Sequence, residues 1–157
     1  MILCADARHL PIRSGTVQMC VTSPPYWGLR SYLPAGHADK HHEIGQEPTP
    51  DAYVQTMVEV FREVRRVLHD SGTVWCNLGD SIQNKQLQMI PFRVALALQA
   101  DGWYVRSVIC WAKKSCMPES VTDRPTNSWE PIFLLAKSAS YFYDAEAVKE
   151  PVAREWG

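Results

Sequence analysis

The sequence predicts an α/β fold: a mostly parallel sheet with an antiparallel edge pair, covered by helices on both faces. Three observations predict it. Apolar runs of strand length alternate with stretches of helical period, the pattern of a sheet packed under helices. One helical stretch stands between two strand-like runs, the order of a parallel pair joined by a right-handed crossover. The last two strand-like runs have few helical residues between them, which points to antiparallel pairing at one edge. The 157 residues, 46% of them hydrophobic, suffice for one domain with a real core, so a single unit over 1–157 is expected.

Taken in order, Met1-Ile2-Leu3-Cys4 is a short apolar run and Val17 to Thr22 a second. The second runs into Ser23-Pro24-Pro25, where two prolines that cannot donate to a ladder end the strand. From Leu29 to Pro50 no apolar period survives, and the polar cluster His37-Ala38-Asp39-Lys40-His41-His42-Glu43 falls inside. A loop of that length is functional or mobile, and a mobile loop over 29–50 is expected. Thr49-Pro50 then opens a helix, with Thr49 as N-cap and Pro50 at the first helical position, where its missing N–H does no harm. Val54, Met57, Phe61, Val64 and Leu68 fall on one face of it, with Arg62, Arg65 and Arg66 largely facing water. Asp70-Ser71-Gly72 reads as a turn, and Thr73 to Leu78 as a buried strand ending in Gly79-Asp80. A second helix is expected from about Ile90 to Ala100, with Pro91 early and Gly102 as its stop. Trp103 to Ala112 and Pro131 to Lys137 are the closing strands.

Composition narrows the class of protein. No stretch approaches the roughly 20 consecutive apolar residues that span a bilayer, and the N-terminus lacks a basic segment followed by an apolar run. Neither a membrane partner nor export is expected, which leaves the cytoplasm. The five cysteines, Cys4, Cys20, Cys76, Cys110 and Cys116, are odd in number and form no Cys-x-x-Cys pair, so they read as free thiols, mostly buried. A net charge of −1 means that this chain alone should grip a phosphate backbone weakly.

The segment that carries chemistry is Thr22-Ser23-Pro24-Pro25-Tyr26-Trp27, at the carboxyl end of a predicted strand, where open α/β sheets bind their ligands. It suits one demanding reaction, alkylation of the exocyclic amine of a base. That nitrogen shares its lone pair with the ring and becomes nucleophilic only when acceptors hold its N–H groups in a more tetrahedral arrangement. A Pro-Pro pair fixes the backbone and turns the Pro24 carbonyl outward without a local N–H to compete for it. The Ser23 hydroxyl offers a second acceptor, and Tyr26 a flat ring for a base that must leave its stack to be reached. Alkylation at cytosine C5 would instead call for a Pro-Cys thiolate, and no proline here is followed by cysteine. Four residues alone fit an ordinary proline turn equally well. The wider context decides between them.

That context is Ala5-Asp6-Ala7-Arg8-His9-Leu10-Pro11, Val21 to Tyr32, Ile44-Gly45-Gln46-Glu47-Pro48, Gly72 to Ser81, Ile90 to Trp103, Trp111 to Lys113, Pro118 to Pro125 and Trp129-Glu130. Together with the motif it resembles, over nearly the whole chain, the DNA amino-methyltransferases. The match is to the permuted (beta) group, in which the catalytic motif precedes the cofactor motif. The resemblance implies a partial Rossmann-like methyltransferase sheet, S-adenosylmethionine as methyl donor and a flipped base in DNA as substrate. It implies that Ser23, Pro24, Pro25 and Tyr26 hold the target amine, and that Asp6, Ser23 and Asp80 meet the cofactor. Asn77 to Asp80 would line the pocket from the neighbouring strand. Serine at the first motif position is more typical of cytosine-N4 than of adenine-N6 enzymes. Trp129 departs from a His-Glu pair common in relatives.

The resemblance also implies a gap. In the family the donor is held mainly by a Phe-x-Gly-x-Gly turn, which these 157 residues lack. The expectation is therefore a catalytic portion whose cofactor segment is missing or supplied by a second polypeptide, inactive alone. A silent remnant serving as an assembly module, and amine methylation of RNA or protein, are the alternatives. Among weaker signals, Lys113, Lys114 and Arg124 either touch phosphates or form a solvated edge. Of the tryptophans, most lie in or beside strands and read as core, and Trp27, which adjoins the motif, is the one placed to meet a base. His37 and His41 with Asp39 or Glu43 have metal-like spacing, but on a loop, and for a chemistry that needs no metal.

Overall fold

The structure is a computed structural model that describes residues 2–116 and 119–150. Met1 of the first apolar run and Pro118 of the family-like segments lie outside the described residues. The elements are β1 (Val17–Thr22), a 3-10 turn (Ala38–His42), α1 (Pro50–Val67), β2 (Leu68–Asn77), β3 (Ile82–Gln83), β4 (Gln86–Leu87), α2 (Ile90–Ala100), β5 (Tyr104–Ala112) and β6 (Trp129–Ala136). Four strands form one sheet in the order β1-β2-β6-β5. The β1-α1-β2 unit is the expected parallel crossover, and β5 and β6 pair antiparallel at the far edge. Because β6 is also antiparallel to β2, β1, β2 and β5 run one way and only β6 opposes them.

Local chemistry explains the helices. The Thr49 hydroxyl accepts from the Ala52 N–H at 3.1 Å, and Pro50 opens α1. Tyr53, Val54, Met57, Phe61 and Val64 are buried on its inner face, and Leu68, which opens β2, is buried with them. α2 begins after Met89, whose left-handed backbone (φ 58°) turns the chain, and ends before Gly102 at φ +95°. Of the arginines of α1, Arg62 and Arg66 are exposed as expected and Arg65 is not. Arg65 is half-buried, donates to the Asp101 and Lys137 carbonyls and lies 5.7 Å over the Trp103 ring, while Arg62 pairs with Asp101.

The two helices pack against each other and on one face of the sheet, where Val74, Cys76, Phe133 and Leu135 join the core with Val94 and Leu98. Helices were expected on both faces; those of the described residues share one. On the other face the strand alternation places Met19, Val21, Trp75, Trp111 and Ile132 along an open apolar groove of about 430 Å³. Val21 is 70% exposed there.

Three expectations are corrected. The Ile2-Leu3-Cys4 run forms no strand: it pairs with no strand of the sheet, and Ile2 is 98% exposed. The Asp70-Gly72 turn is a bulge inside β2, where the β1 pairing jumps from Val17↔Leu68 to Met19↔Thr73. Only Cys76 of the five free cysteines is buried; Cys4 and Cys110 are exposed, the latter because β5 is an edge strand. One hairpin went unseen. Asn84 and Lys85, at φ 51° and 63°, join β3 to β4, a two-residue turn whose second position is not a typical turn former.

Candidate active site

β1 and β2 are parallel and in register at Thr22↔Cys76, so the residues that follow, Ser23 and Asn77, emerge side by side at the carboxyl edge. The Ser23 hydroxyl lies 3.1 Å from the Tyr26 hydroxyl and 3.4 Å from Asn77 Oδ1, and the Tyr26 hydroxyl lies 2.7 Å from Asn77 Oδ1. Asn77 Nδ2 donates to the Pro131 carbonyl at 3.2 Å, which fixes the amide with its oxygen toward the motif. Glu130 Oε2 stands 3.1 Å from the Tyr26 hydroxyl, and its Oε1 is ion-paired with Lys113. Three strands and the loop after β1 thus converge on one polar cluster.

The loop itself is braced from three sides. The buried Tyr53 of α1 donates its hydroxyl to the Pro25 carbonyl at 2.8 Å, whereas among the described residues no group donates to the carbonyl of Pro24. Gly45, at φ +95°, lies against it so closely that a Cβ there would stand 3.1 Å from the Tyr26 carbonyl oxygen. Gly79 seats the Tyr26 ring: a Cβ on Gly79 would stand 2.4 Å from Tyr26 Cε2.

Electrostatics follow the contacts. Burial by itself would raise the Glu130 carboxyl, but Lys113, Asn77 and Tyr26 together outweigh it and hold the group below the usual carboxylate range. Burial, countered in part by Ser23 and reinforced by the charge of Glu130, pushes the Tyr26 phenol up. At neutral pH Glu130 is therefore ionised and accepts only, while Tyr26 keeps its proton.

Other expected site residues fall in two clefts. Asp6 lines one of about 500 Å³ with Arg8, Pro25, Tyr32, Glu43 and Ile44. Its carboxylate is already engaged by Arg8, through the backbone N–H at 2.9 Å and the guanidinium at 3.1 Å, and this partner holds its pKa down. Tyr32 also lines a smaller cleft of about 240 Å³ with Ser23, Pro24 and Tyr26. Asp80 and Arg124 share a different cleft, of about 450 Å³, with Phe92, Trp129 and Glu130. Asp80 Oδ1 accepts from the Ser81 and Ile90 N–H groups and so anchors the start of α2. Arg124 pairs with Glu119 at 2.6 Å, and Lys113, considered for phosphates, is turned onto Glu130.

Trp27 is a correction. It is 4% exposed, donates Nε1 to the Glu47 carbonyl at 2.8 Å and belongs to the core, so it has no face free for a base. Position beside the motif misled, because the chain reverses after Tyr26 and folds Trp27 under the 29–50 loop. Among the described residues, the exposed tryptophans are Trp111 and Trp129, at 50% and 40%. Sequence reasoning missed Tyr53, Gly79 and the part played by Glu130. A lone carboxylate within the apolar run from Trp129 to Ala136 was the available signal for the last. The His37–Glu43 stretch forms the 3-10 turn, in which His37 Nδ1 accepts from the Asp39 N–H and Glu43 pairs with Lys40.

Comparison with known proteins adds a separate line of information. Residues 17–155 match a DNA methylase family covering N6 and N4 enzymes. The chain is 41% identical to the Type II methyltransferase M.SmaI of Serratia marcescens, covering 97% of this chain and 61% of that protein. It is 42% identical to M.SfiI of Streptomyces fimbriatus, over 87% of this chain and 35% of the relative. M.Cfr9I of Citrobacter freundii is also 42% identical, over 91% and 55%. The chain therefore spans between about a third and three fifths of these relatives' lengths. Among solved structures, the cytosine-N4-specific PvuII DNA methyltransferase superposes with a TM-score of 0.67 at 16% identity, over 88% of this chain and 48% of that one. The Thermus thermophilus protein TTHA0409, solved with S-adenosyl-L-methionine, gives 0.63 at 23% identity, over 90% and 57%. These two share the fold of the sheet and helices described above.

Proposed function

The chain belongs to the family of N6 and N4 DNA methylases, and from that premise we propose that it carries the amine-holding part of a DNA methyltransferase acting on cytosine N4. The observation that carries this reading is the cluster of Ser23, Tyr26 and Asn77 beside a Pro24 carbonyl that no protein group among the described residues occupies. One N–H of the target amine is accepted by that carbonyl and the other by the Ser23 hydroxyl, which draws the nitrogen out of conjugation with its ring. Serine rather than aspartate at the first motif position supports cytosine N4 over adenine N6.

S-adenosylmethionine, when bound, supplies a methyl group made electrophilic by its sulfonium. The cleft between Asp6 and Pro25 is of a size that takes a small ligand. A carboxylate offers about four lone-pair sites, so Asp6 retains acceptor capacity beside Arg8. Asp6 and the backbone around Pro25 are the residues that would hold the donor here. The Phe-x-Gly-x-Gly platform is absent from these 157 residues, and a further segment of the protein or a second polypeptide would supply it. The open face of the sheet and the free edge of β1 are where such a segment would pack.

Transfer of tritium from labelled S-adenosylmethionine to duplex DNA by the full-length protein, followed by mass analysis of nucleosides, tests the proposal. N4-methylcytosine that disappears with Pro24→Ala is the expected result. N6-methyladenine would move the target, and labelling undiminished by Pro24→Ala would remove the motif from the chemistry.

A further inference from the structure

Counting donors and acceptors in the cluster gives it a direction. Tyr26 has one hydroxyl proton and two neighbours for it, Asn77 Oδ1 at 2.7 Å and Glu130 Oε2 at 3.1 Å. Both are acceptors only. Asn77 presents its oxygen because its Nδ2 is committed to the Pro131 carbonyl, and Glu130 is ionised because Lys113 is paired with its other oxygen. The Tyr26 proton therefore points away from Ser23 whichever neighbour takes it. The Ser23 hydroxyl is then the donor of the cluster's remaining hydrogen bond, to the Tyr26 oxygen at 3.1 Å or to Asn77 Oδ1 at 3.4 Å. In every allocation the Ser23 proton is directed into the protein and its lone pairs outward.

We propose that Glu130, kept anionic by Lys113, is a positioning residue that acts through Tyr26 to lock the Ser23 hydroxyl as an acceptor for the target amine. The proposal rests on the amine-holding reading of the motif. Without the carboxylate, Asn77 Oδ1 is the one acceptor left to the Tyr26 hydroxyl besides Ser23, so the Tyr26 proton divides between the two, and whenever it goes to Ser23 the serine proton faces the substrate amine and repels it. Glu130→Gln removes the charged acceptor with almost no change of volume, and its amide N–H can take the place of the Ser23 hydroxyl as donor to the Tyr26 oxygen. Glu130→Asp keeps the charge and the polarity with a shorter reach. Tyr26→Phe removes the relay itself.

The test is a double-mutant cycle on the full-length protein, read in methyl transfer from S-adenosylmethionine to DNA. Glu130→Gln is expected to lower kcat by about 10- to 100-fold, the range for losing one hydrogen bond to a charged group, with KM for DNA little changed. Glu130→Asp should recover much of that loss. In a Tyr26→Phe background, Glu130→Gln should add no further loss, since its effect passes through the missing hydroxyl. Losses that multiply across the two sites, or a Glu130→Asp variant as slow as Glu130→Gln, would overturn the proposal. A second readout is independent of activity. With 3-fluorotyrosine incorporated and the Tyr26 resonance assigned by its disappearance in Tyr26→Phe, Glu130→Gln should shift that ¹⁹F signal while leaving those of Tyr53 and Tyr104 in place. An unmoved Tyr26 signal would refute the contact. If the wild-type protein methylates no base while the signal does shift, the amine-holding reading has failed and the hydrogen-bond network stands.

Discussion

Gly79→Ala sets two well-defined effects against each other. Gly79 has no positive φ, so alanine is compatible with its backbone, and the reduced freedom of the unfolded chain alone would stabilise the protein by about 0.4–1 kcal/mol. Against this stands the Tyr26 ring, with Cε2 at 2.4 Å and Cδ2 at 2.5 Å from the new Cβ. Carbon atoms rest about 3.5–4.0 Å apart, so the ring must retreat by roughly 1 Å or more. A displacement of that size carries the 2.7 Å and 3.1 Å contacts of the Tyr26 hydroxyl to or beyond the limit of a hydrogen bond. Overpacking of this kind costs about 1–3 kcal/mol, and the steric effect therefore wins. At about 2–4 °C per kcal/mol for a domain of this size, thermal denaturation followed by circular dichroism should show a drop of several degrees. Methyl transfer by the full-length protein should fall with it. The decisive comparison uses Tyr26→Ala as background, where the clash is gone and Gly79→Ala should become neutral or stabilising. If Gly79→Ala is equally costly with and without the Tyr26 ring, the seat described here is not what requires glycine.

Tyr53→Phe strips the donor from the Pro25 carbonyl, and leaving that acceptor without a partner should cost about 1–3 kcal/mol; an unchanged melting temperature would mean that the loop is held by other contacts. The carboxyl of Glu63 is held near a pKa of about 2, below its ordinary 4.5, chiefly by Arg66 and also by the Leu10 N–H. A depressed carboxylate contributes stability that is complete above its unfolded value and is lost as pH falls through its folded one. The protection factor of the Leu10 amide, its exchange rate relative to the intrinsic rate at the same pH, should accordingly fall between pH 4.5 and about 2, and Glu63→Gln should abolish that fall; a protection factor that is flat across this range would contradict it. Burial pushes the Cys76 thiol up to about 12, so iodoacetamide at about pH 8 should modify Cys4 and Cys110 in the folded protein and reach Cys76 only on unfolding. Peptide mapping with equal labelling of Cys76 and Cys4 would refute its placement in the core.

What could be read from the sequence was whatever local patterns encode. The cap at Thr49, the buried face from Val54 to Leu68 and the stop at Gly102 need only neighbouring residues, and all three stand. The motif was legible because two successive prolines after an apolar run leave the backbone few choices. The partners of the motif were not legible, because contact across a sheet depends on register and not on proximity in sequence. Tyr53 looked like one more apolar position on a helix face, and its hydroxyl acquires meaning only when α1 crosses behind Pro25. Trp27 was illegible for the opposite reason: adjacency to Tyr26 does not carry shared exposure, because the turn that follows the prolines sends successive side chains to different environments. Lys113 carried a charge whose partner lies across the β5/β6 pairing, so its sequence neighbourhood said nothing about whether it faced phosphate or Glu130.

The strand order has a consequence for biosynthesis. β6, the last strand along the described chain, occupies the interior of the sheet between β2 and β5. A nascent chain that has emerged only as far as β5 has the β1–β2 pair and a lone β5 with no ladder joining them, and Tyr26 and Asn77 stand without the Glu130 that lies 104 residues after Tyr26. Closure over that distance is slow compared with making a helix or a hairpin. The polarity of the site is thus among the last properties these residues acquire as they leave the ribosome, and a partly made protein holds the motif without the arrangement that would orient it.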